Sequence, residues 1–203
     1  MFALPVLPGV ELRPLRPSDS AGLVHAVRTN REWLAPWLPH WLPLIEHDAA
    51  HAWCRSKARE QADETAMVAV IVSVAHASPP QPFDGPEMVG GGRWIGCLRT
   101  EKLDRVNAKT QLEFWLDRTF AGHGIMTACM RAFLRYGFEV EGWHRATVRC
   151  AVGHPRVRRL VERLGFVHEG RIRETIRRGE TWVDDDLFGL LAHEFRDVDR
   201  PST

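Results

Sequence analysis

Apolar and polar residues change their period within residues 112–139, and this stretch organises the prediction for the rest of the chain. It opens as an apolar strand and breaks at a loop that contains Gly122 and Gly124. Apolar residues then recur at the three- and four-residue steps of a helix. The predicted buried stripe of this helix is Ile125, Ala128, Cys129, Ala132, Phe133 and Tyr136. We therefore expect a strand, a glycine loop and a helix in that order.

The remaining pattern predicts more strands and shorter helices. Strands are expected at residues 10–14, 65–76, 88–98, 111–117 and 145–150, and a hairpin at 171–191 that turns near Arg178 and Gly179. Helices are expected from a cap at Ser18 and Asp19 to about residue 29, at 45–61 and at 155–164. The helix at 45–61 should bury Ile45, Ala49, Ala52 and Trp53. The proline-rich residues 78–86 are expected to form a loop.

Three tryptophans, Trp33, Trp37 and Trp41, follow one another at four-residue intervals in a segment interrupted by prolines. Because proline interrupts a helix, we expect a short helix followed by an aromatic, proline-stiffened loop. From the residues alone, the expected role of these rings is to cover the sheet.

Composition limits the classes of protein that fit. With 203 residues and 44% hydrophobic content, the chain suits a single domain, residues 1–203, with its core at about 10–195. A formal net charge of +1 argues against nucleic-acid binding, which normally needs a cationic excess. No apolar run approaches about 20 residues and the first residues lack a basic leader, so we expect a cytoplasmic protein with no membrane segment. The four cysteines are scattered, which predicts neither a metal site nor a disulfide framework.

The glycine loop is the main candidate for chemistry. A loop that leads into a helix N-terminus presents unpaired backbone N–H groups and the positive end of the helix dipole, which together suit a phosphate or pyrophosphate. The sequence G-H-G-I-M-T has no following G-K-[ST] and lacks the third glycine of the dinucleotide fingerprint. A different phosphate-binding family is therefore indicated.

The loop resembles the acyl-CoA loop of the GNAT N-acetyltransferases, usually written Q/R-x-x-G-x-G/A. Its flanks, E-F-W-L-D and G-I-M-T-A-C-M-R-A-F-L-R-Y-G-F, are similar to the RimJ/RimL branch, whose members acetylate protein N-termini. Further similar segments, in the family's order, are L-R-P-L-R-P-S-D, E-R-L-G-F-V-H-E-G and R-R-G-E-T-W-V-D-D-D-L-F. The resemblance covers roughly residues 10–195.

This resemblance implies an α/β (α+β) fold with a mixed, mostly antiparallel sheet and splayed strands around a central β-α-β acyl-CoA-binding unit. It implies an acetyl-CoA-dependent enzyme that moves an acetyl group directly to a primary amine, such as a protein or peptide N-terminus. A homodimer is also expected from the family. A non-catalytic acyl-CoA sensor or scaffold of the same fold is the alternative.

The resemblance also assigns cofactor-binding positions. Main-chain groups of Phe114, Trp115, Leu116 and Arg118 would pair with the pantetheine arm, with the Leu116 N–H as candidate donor to the thioester carbonyl. The pyrophosphate would lie against backbone N–H groups and the Thr127 hydroxyl; the residues of this cradle are Gly122, His123, Gly124, Ile125, Met126 and Thr127. Arg156 and Arg159 would hold the 3′-phosphate. Thr119 departs from the Gln or Arg that opens the family motif.

Catalytic groups are less clearly indicated. Glu113 is the candidate base, because a desolvated carboxylate beside the thioester would have a raised pKa. RimL-like members usually carry glycine there, and the competing role of Glu113 is a salt bridge or a contact with the acceptor. The family's serine acid falls on Val157 and its strand carboxylate on Ile176, so the acid is His154, a water or no protein group. Trp33, Trp37 and Trp182 are candidate acceptor contacts.

Overall fold

In a computed structural model, residues 3–74 and 91–196 are described. Eight strands form a mixed sheet in which hydrogen-bonded neighbours follow the order β1-β2-β3-β4-β5-β6-β8-β7. β5 and β6 pair in parallel, whereas β1–β2, β2–β3, β3–β4, β6–β8 and β7–β8 pair antiparallel. The strands are β1 Leu4–Leu7, β2 Val10–Pro14, β3 Val68–Ser73, β4 Arg93–Asp104, β5 Lys109–Leu116, β6 Arg145–Ala151, β7 Val167–Arg178 and β8 Thr181–Leu191.

Within the described residues, five α-helices and several short 3-10 turns accompany these strands. The helices are α1 Ser20–Thr29, α2 Arg31–Leu34, α3 His47–Ala62, α4 Ile125–Glu139 and α5 Pro155–Arg163. The 3-10 turns are Pro17–Asp19, Pro39–Ile45, Arg118–Phe120 and Ala192–Glu194. α4 joins the parallel strands β5 and β6, so the predicted β-α-β unit is present and the mixed, mostly antiparallel sheet is confirmed.

The described chain divides into two compact units, the first made of Met1–Arg99 and Phe114–Cys129. Its centre is Trp41, whose ring lies 5.2 Å from the Trp53 ring and 5.5 Å from the Trp115 ring. β3 is buried along almost its whole length, which explains its continuous run of apolar residues. Trp41 therefore belongs to the core of the first unit.

The second unit contains Thr100–Glu113 and Met130–Thr203. Phe133 and Trp143 meet edge to face with ring centroids 5.7 Å apart. The backbone of Gly137 lies so close to this indole that an added Cβ would be 2.1 Å from a ring carbon of Trp143. Glycine at this helical position is therefore needed for packing rather than for a special backbone angle.

Several predicted details differ from the structure. Asp19 does not cap α1 through its side chain; it is buried in an ion pair with Arg13, with 2.8 Å between Arg13 Nη2 and Asp19 Oδ1. α3 buries Ala50 and Cys54 and leaves Ala52 exposed, so its buried face is rotated from the predicted one. The strand β1 was not predicted. The predicted loop at residues 78–86 lies outside the described residues.

Candidate functional site

The C-terminal end of β5 is held from both sides by the first unit. The indole Nε1 of Trp33 donates to the Leu116 carbonyl at 3.1 Å, and the N–H of Asp117 donates to the Ile95 carbonyl at 2.6 Å. Because successive residues of an extended strand present their polar groups to opposite sides, Leu116 presents its N–H on the side away from Ile95. Gly96 permits this close approach, since an added Cβ would lie 2.5 Å from the Trp115 carbonyl oxygen.

A buried polar hub follows β5 directly. The Asp117 carboxylate, 2% exposed, accepts from Arg93 Nη2 at 2.7 Å and from Asn30 Nδ2 at 3.1 Å. It also accepts from the Thr119 N–H at 2.8 Å and the Thr119 hydroxyl at 2.6 Å. Asn30, 3% exposed, accepts at its Oδ1 a hydrogen bond from the N–H of Arg118 at 2.9 Å. The first two backbone N–H groups of the turn Arg118–Phe120 are therefore both bound by side chains.

This hub also involves Arg118, one of the predicted cofactor-binding residues. The N–H of Arg118 donates to Asn30, and its carbonyl accepts from the N–H of Ala121 at 3.2 Å. Both main-chain polar groups of Arg118 are thus hydrogen-bonded, and its pairing with the cofactor stays a prediction. The main chain of Phe114, Trp115 and Leu116 remains the candidate surface.

The glycine loop next presents open backbone. Gly122 and Gly124 have φ of +91° and +78°, and a Cβ at either would meet no described atom within 4 Å. Glycine is thus required here for the left-handed backbone, and the exposed loop leaves room for a ligand. The first backbone donor within α4 is Ala128, which bonds the Gly124 carbonyl at 3.0 Å.

The donors before Ala128 are the ones that an anion can use. The N–H groups of Ile125, Met126 and Thr127 precede the first intrahelical hydrogen bond and point out of the helix N-terminus. His123 is exposed, with its Nδ1 3.4 Å from the Phe120 carbonyl oxygen. The loop and the start of α4 therefore have the geometry to bind an anion such as a diphosphate.

In the second unit, His154 caps α5. Its Nδ1 accepts from the N–H of Val157 at 3.4 Å, and burial lowers the pKa of His154 to about 4. The imidazole is therefore neutral near pH 7, and a neutral imidazole donates a proton poorly. The cap explains the position of His154 better than the predicted role as acid does. Val157 supplies only its backbone donor, in agreement with the missing serine.

Arginines on α5 lie at the surface. Arg156 and Arg159 are exposed, whereas Arg158 pairs with Glu162 at 2.8 Å and approaches Asp186 at 3.7 Å. The Asp186 carboxylate also accepts from Arg171 at 2.9 Å, and this hydrogen bond is the main reason why the pKa of Asp186 is lowered.

The adjacent Asp185 has an unusual environment that the sequence reading missed. It is 4% exposed, and its Oδ1 has no hydrogen-bond partner among the described residues. Burial raises the pKa of Asp185, which Thr175 and Arg149 partly oppose. The acidic run of β8 is visible in the sequence, but it entered the sequence analysis only as part of the segment R-R-G-E-T-W-V-D-D-D-L-F.

The other predicted site residues are spread over both units. Glu113 is half-buried on β5, and Trp37 is half-buried after α2. Trp182 on β8 is 56% exposed. Among the predicted acceptor tryptophans, Trp33 donates a hydrogen bond to a predicted cofactor residue, Leu116.

Two further observations concern membranes and metals. Within residues 3–74 and 91–196, none of the helices combines the length and apolar character that crossing a bilayer requires. Over the same residues, histidine, cysteine and acidic side chains do not gather in threes in a way that could bind a metal ion.

Comparison with known proteins identifies the family. Residues 10–167 match the family described as acetyltransferase (GNAT) domain. The chain is 26% identical over 196 residues to YdaF of Bacillus subtilis (strain 168), and the match covers 96% of this chain and 98% of YdaF. The name of YdaF describes it, provisionally, as a ribosomal N-acetyltransferase. It is 22% identical over 97 residues to the ribosomal-protein-serine acetyltransferase of Escherichia coli (strain K12), covering 48% and 54% of the two chains.

Solved structures share the fold over nearly the whole chain. A ribosomal-protein-S5-alanine acetyltransferase from Vibrio fischeri superposes with a TM-score of 0.81 at 17% identity, over 97% of this chain and 100% of that one. RimL, a ribosomal L7/L12 alpha-N-protein acetyltransferase in complex with coenzyme A, gives 0.78 at 19% identity, over 93% and 97%. The protein therefore belongs to the GNAT acetyltransferase family, as an N-acetyltransferase that depends on acetyl-CoA.

Proposed function

We propose that this acetyltransferase acetylates the terminal amino group of a protein or peptide, with the cofactor diphosphate bound at residues 122–127. The observation that carries the proposal is the open, left-handed glycine loop that leads into the N-terminus of α4. The relatives named as ribosomal-protein acetyltransferases support the class of acceptor.

The proposed binding mode uses backbone more than side chains. Main-chain groups of Phe114–Leu116 pair with the pantetheine arm, and the N–H of Leu116 polarises the thioester carbonyl. One such donor contributes roughly 3 kcal/mol to an oxyanion. Arg156 and Arg159, both exposed, hold the 3′-phosphate. When bound, acetyl-CoA supplies an activated acetyl group.

The proposed chemistry is direct transfer. Glu113 accepts one proton from the acceptor ammonium, so that the nitrogen can attack the acetyl carbonyl carbon. A carbon–nitrogen bond would form and the carbon–sulfur bond of the thioester would break. The nitrogen would then lose its second proton to water and the departing thiolate would take a proton from water, so that solvent carries this proton from the amine to the thiol. Water is preferred to His154 because the lowered pKa of His154 leaves that side chain neutral. Trp37 and Trp182 contact the acceptor.

The loop assignment is tested by Gly124→Glu, with Gly142→Glu as a matched control. Both glycines have positive φ, of +78° and +70°, and an added Cβ at either position would meet no described atom within 4 Å. Each substitution therefore introduces the same backbone strain and the same charge. Calorimetric titration with acetyl-CoA should show at least a tenfold loss of affinity in Gly124→Glu alone. Equal affinities in the two variants would contradict the loop assignment.

The acceptor class is tested by thiol release from acetyl-CoA. Peptides with a free N-terminal alanine or serine should release thiol, and the same peptides with an acetylated N-terminus should not. Spermidine and lysine side chains serve as competing amine classes. Faster turnover with these amines than with every free N-terminus would overturn the proposed acceptor.

A further inference from the structure

The α1–α2 junction is joined to the end of β5 by three side-chain hydrogen bonds. Asn30, between the two helices, contacts the Asp117 carboxylate and the Arg118 N–H, and Trp33 in α2 contacts the Leu116 carbonyl. These residues lie more than eighty positions apart in sequence, so the contacts are tertiary rather than local.

The joined backbone leads directly into the glycine loop. Leu116 is the last residue of β5, the turn Arg118–Phe120 follows, and Gly122 comes two residues later. Strand ends and single turns fray easily unless tertiary contacts hold them. The three hydrogen bonds restrain the carbonyl of residue 116, the carboxylate of residue 117 and the N–H of residue 118 in succession.

The composition of the hub indicates that orientation, rather than stability, is what it supplies. An ion pair between Arg93 and Asp117, with side chains 15% and 2% exposed, must overcome a large desolvation cost. An apolar packing of similar volume would often be at least as stable. Asn30 contributes both a donor and an acceptor, each to a different part of the turn, which an apolar side chain cannot do.

We infer that Asn30 and Trp33 are positioning residues for acetyl-CoA: they fix the end of β5 and the following turn so that the Leu116 amide and the glycine loop face the cofactor together. This inference rests on the proposed cofactor site. It gives Trp33 a role in cofactor binding in place of the predicted contact with the acceptor.

Two variants probe this role in the whole chain of 203 residues. Trp33→Phe keeps an aromatic ring and removes the indole N–H. Asn30→Asp keeps an acceptor for Arg118 and places a second carboxylate beside Asp117. Trp53→Phe is the matched control, because Trp53 packs on Trp41 in the same unit without a place in the site. Circular dichroism first establishes a temperature at which all proteins are folded.

Titration calorimetry with coenzyme A then measures the dissociation constant. Trp33→Phe should weaken binding about two- to tenfold, the effect of one hydrogen bond, and Asn30→Asp should weaken it more than tenfold. In steady-state kinetics the KM for acetyl-CoA should rise in both variants, with the KM for the peptide within twofold of wild type. A purely structural role would lower the melting temperature without this selective change.

The results separate two failures. If wild-type protein does not bind coenzyme A, the proposed cofactor site fails. If wild type binds and both variants bind within twofold of it, or if Trp53→Phe loses as much affinity, the positioning role is overturned. Should Asn30→Asp fail to fold, Trp33→Phe decides the matter.

Discussion

At the scale of single residues, Asp185 should reduce stability at neutral pH. Its pKa is raised because burial disfavours the charged form, and its Oδ1 lacks a partner among the described residues. The folded protein therefore takes up a proton at Asp185 at a higher pH than the unfolded chain does. The charged form costs the folded state about 1.4 kcal/mol for each pKa unit of the increase.

Asp185→Asn removes this cost, so the variant should be more stable than wild type at pH 7. As pH falls through the raised pKa of Asp185 towards about 3.8, the difference in stability should shrink, because residue 185 is then neutral in wild type as well as in the variant. His154, with its pKa lowered to about 4, destabilises both proteins below about pH 6.5, and this effect cancels in the difference. Urea unfolding of both proteins at pH 7 and pH 4 measures the change; a variant that is less stable at both values would contradict it.

Residues such as Asn30 show why only part of the site could be predicted from the sequence. The glycine loop could be predicted because left-handed backbone before a helix leaves a local signature. Asn30 carries no such signature, since its function depends on Asp117 and Arg118. Thr119 illustrates the same limit: it departs from the family motif, yet it donates twice to Asp117.

At the scale of elements, the period of the hydrophobic pattern predicted the type and order of the helices and strands well. It predicted less well which face of each helix is buried. β2 and the terminal hairpin formed where expected, and α4 spans Ile125–Glu139. The predicted stripe of α4 was wrong in part, because Ala128, Ala132 and Tyr136 are only half-buried. The fully buried positions missing from it are Met130, Leu134 and Gly137.

The physical reason for this shift is that α4 has a wide apolar stripe, and the predicted buried positions lie along one edge of it. Small residues such as Ala128 and Ala132 satisfy an apolar pattern without being large enough to determine which side packs inward. Met130 and Leu134, with larger side chains, contribute more apolar area to burial and so lie on the inner face. Gly137 joins them because Trp143 packs directly on its backbone.

At the scale of the whole molecule, direct transfer is supported by the state of the thiols. All four cysteines are buried and free. Desolvation raises the pKa of Cys54 and Cys129 to about 12, and of Cys150 to about 11, so these thiols are protonated near pH 7. Because the thiolate is the nucleophile, an acetyl-cysteine intermediate is disfavoured on these three residues.

Folded protein treated with iodoacetamide at pH 7.5 should therefore keep its thiol-release activity and show little alkylation by intact-mass measurement. Protein unfolded in urea should take up four labels under the same conditions, one for each cysteine. A second comparison, rapid quenching after mixing with radiolabelled acetyl-CoA, should recover no acetyl group attached to the protein. Stoichiometric alkylation of one cysteine with parallel loss of activity, or a labelled protein in the quench, would replace direct transfer by a covalent route.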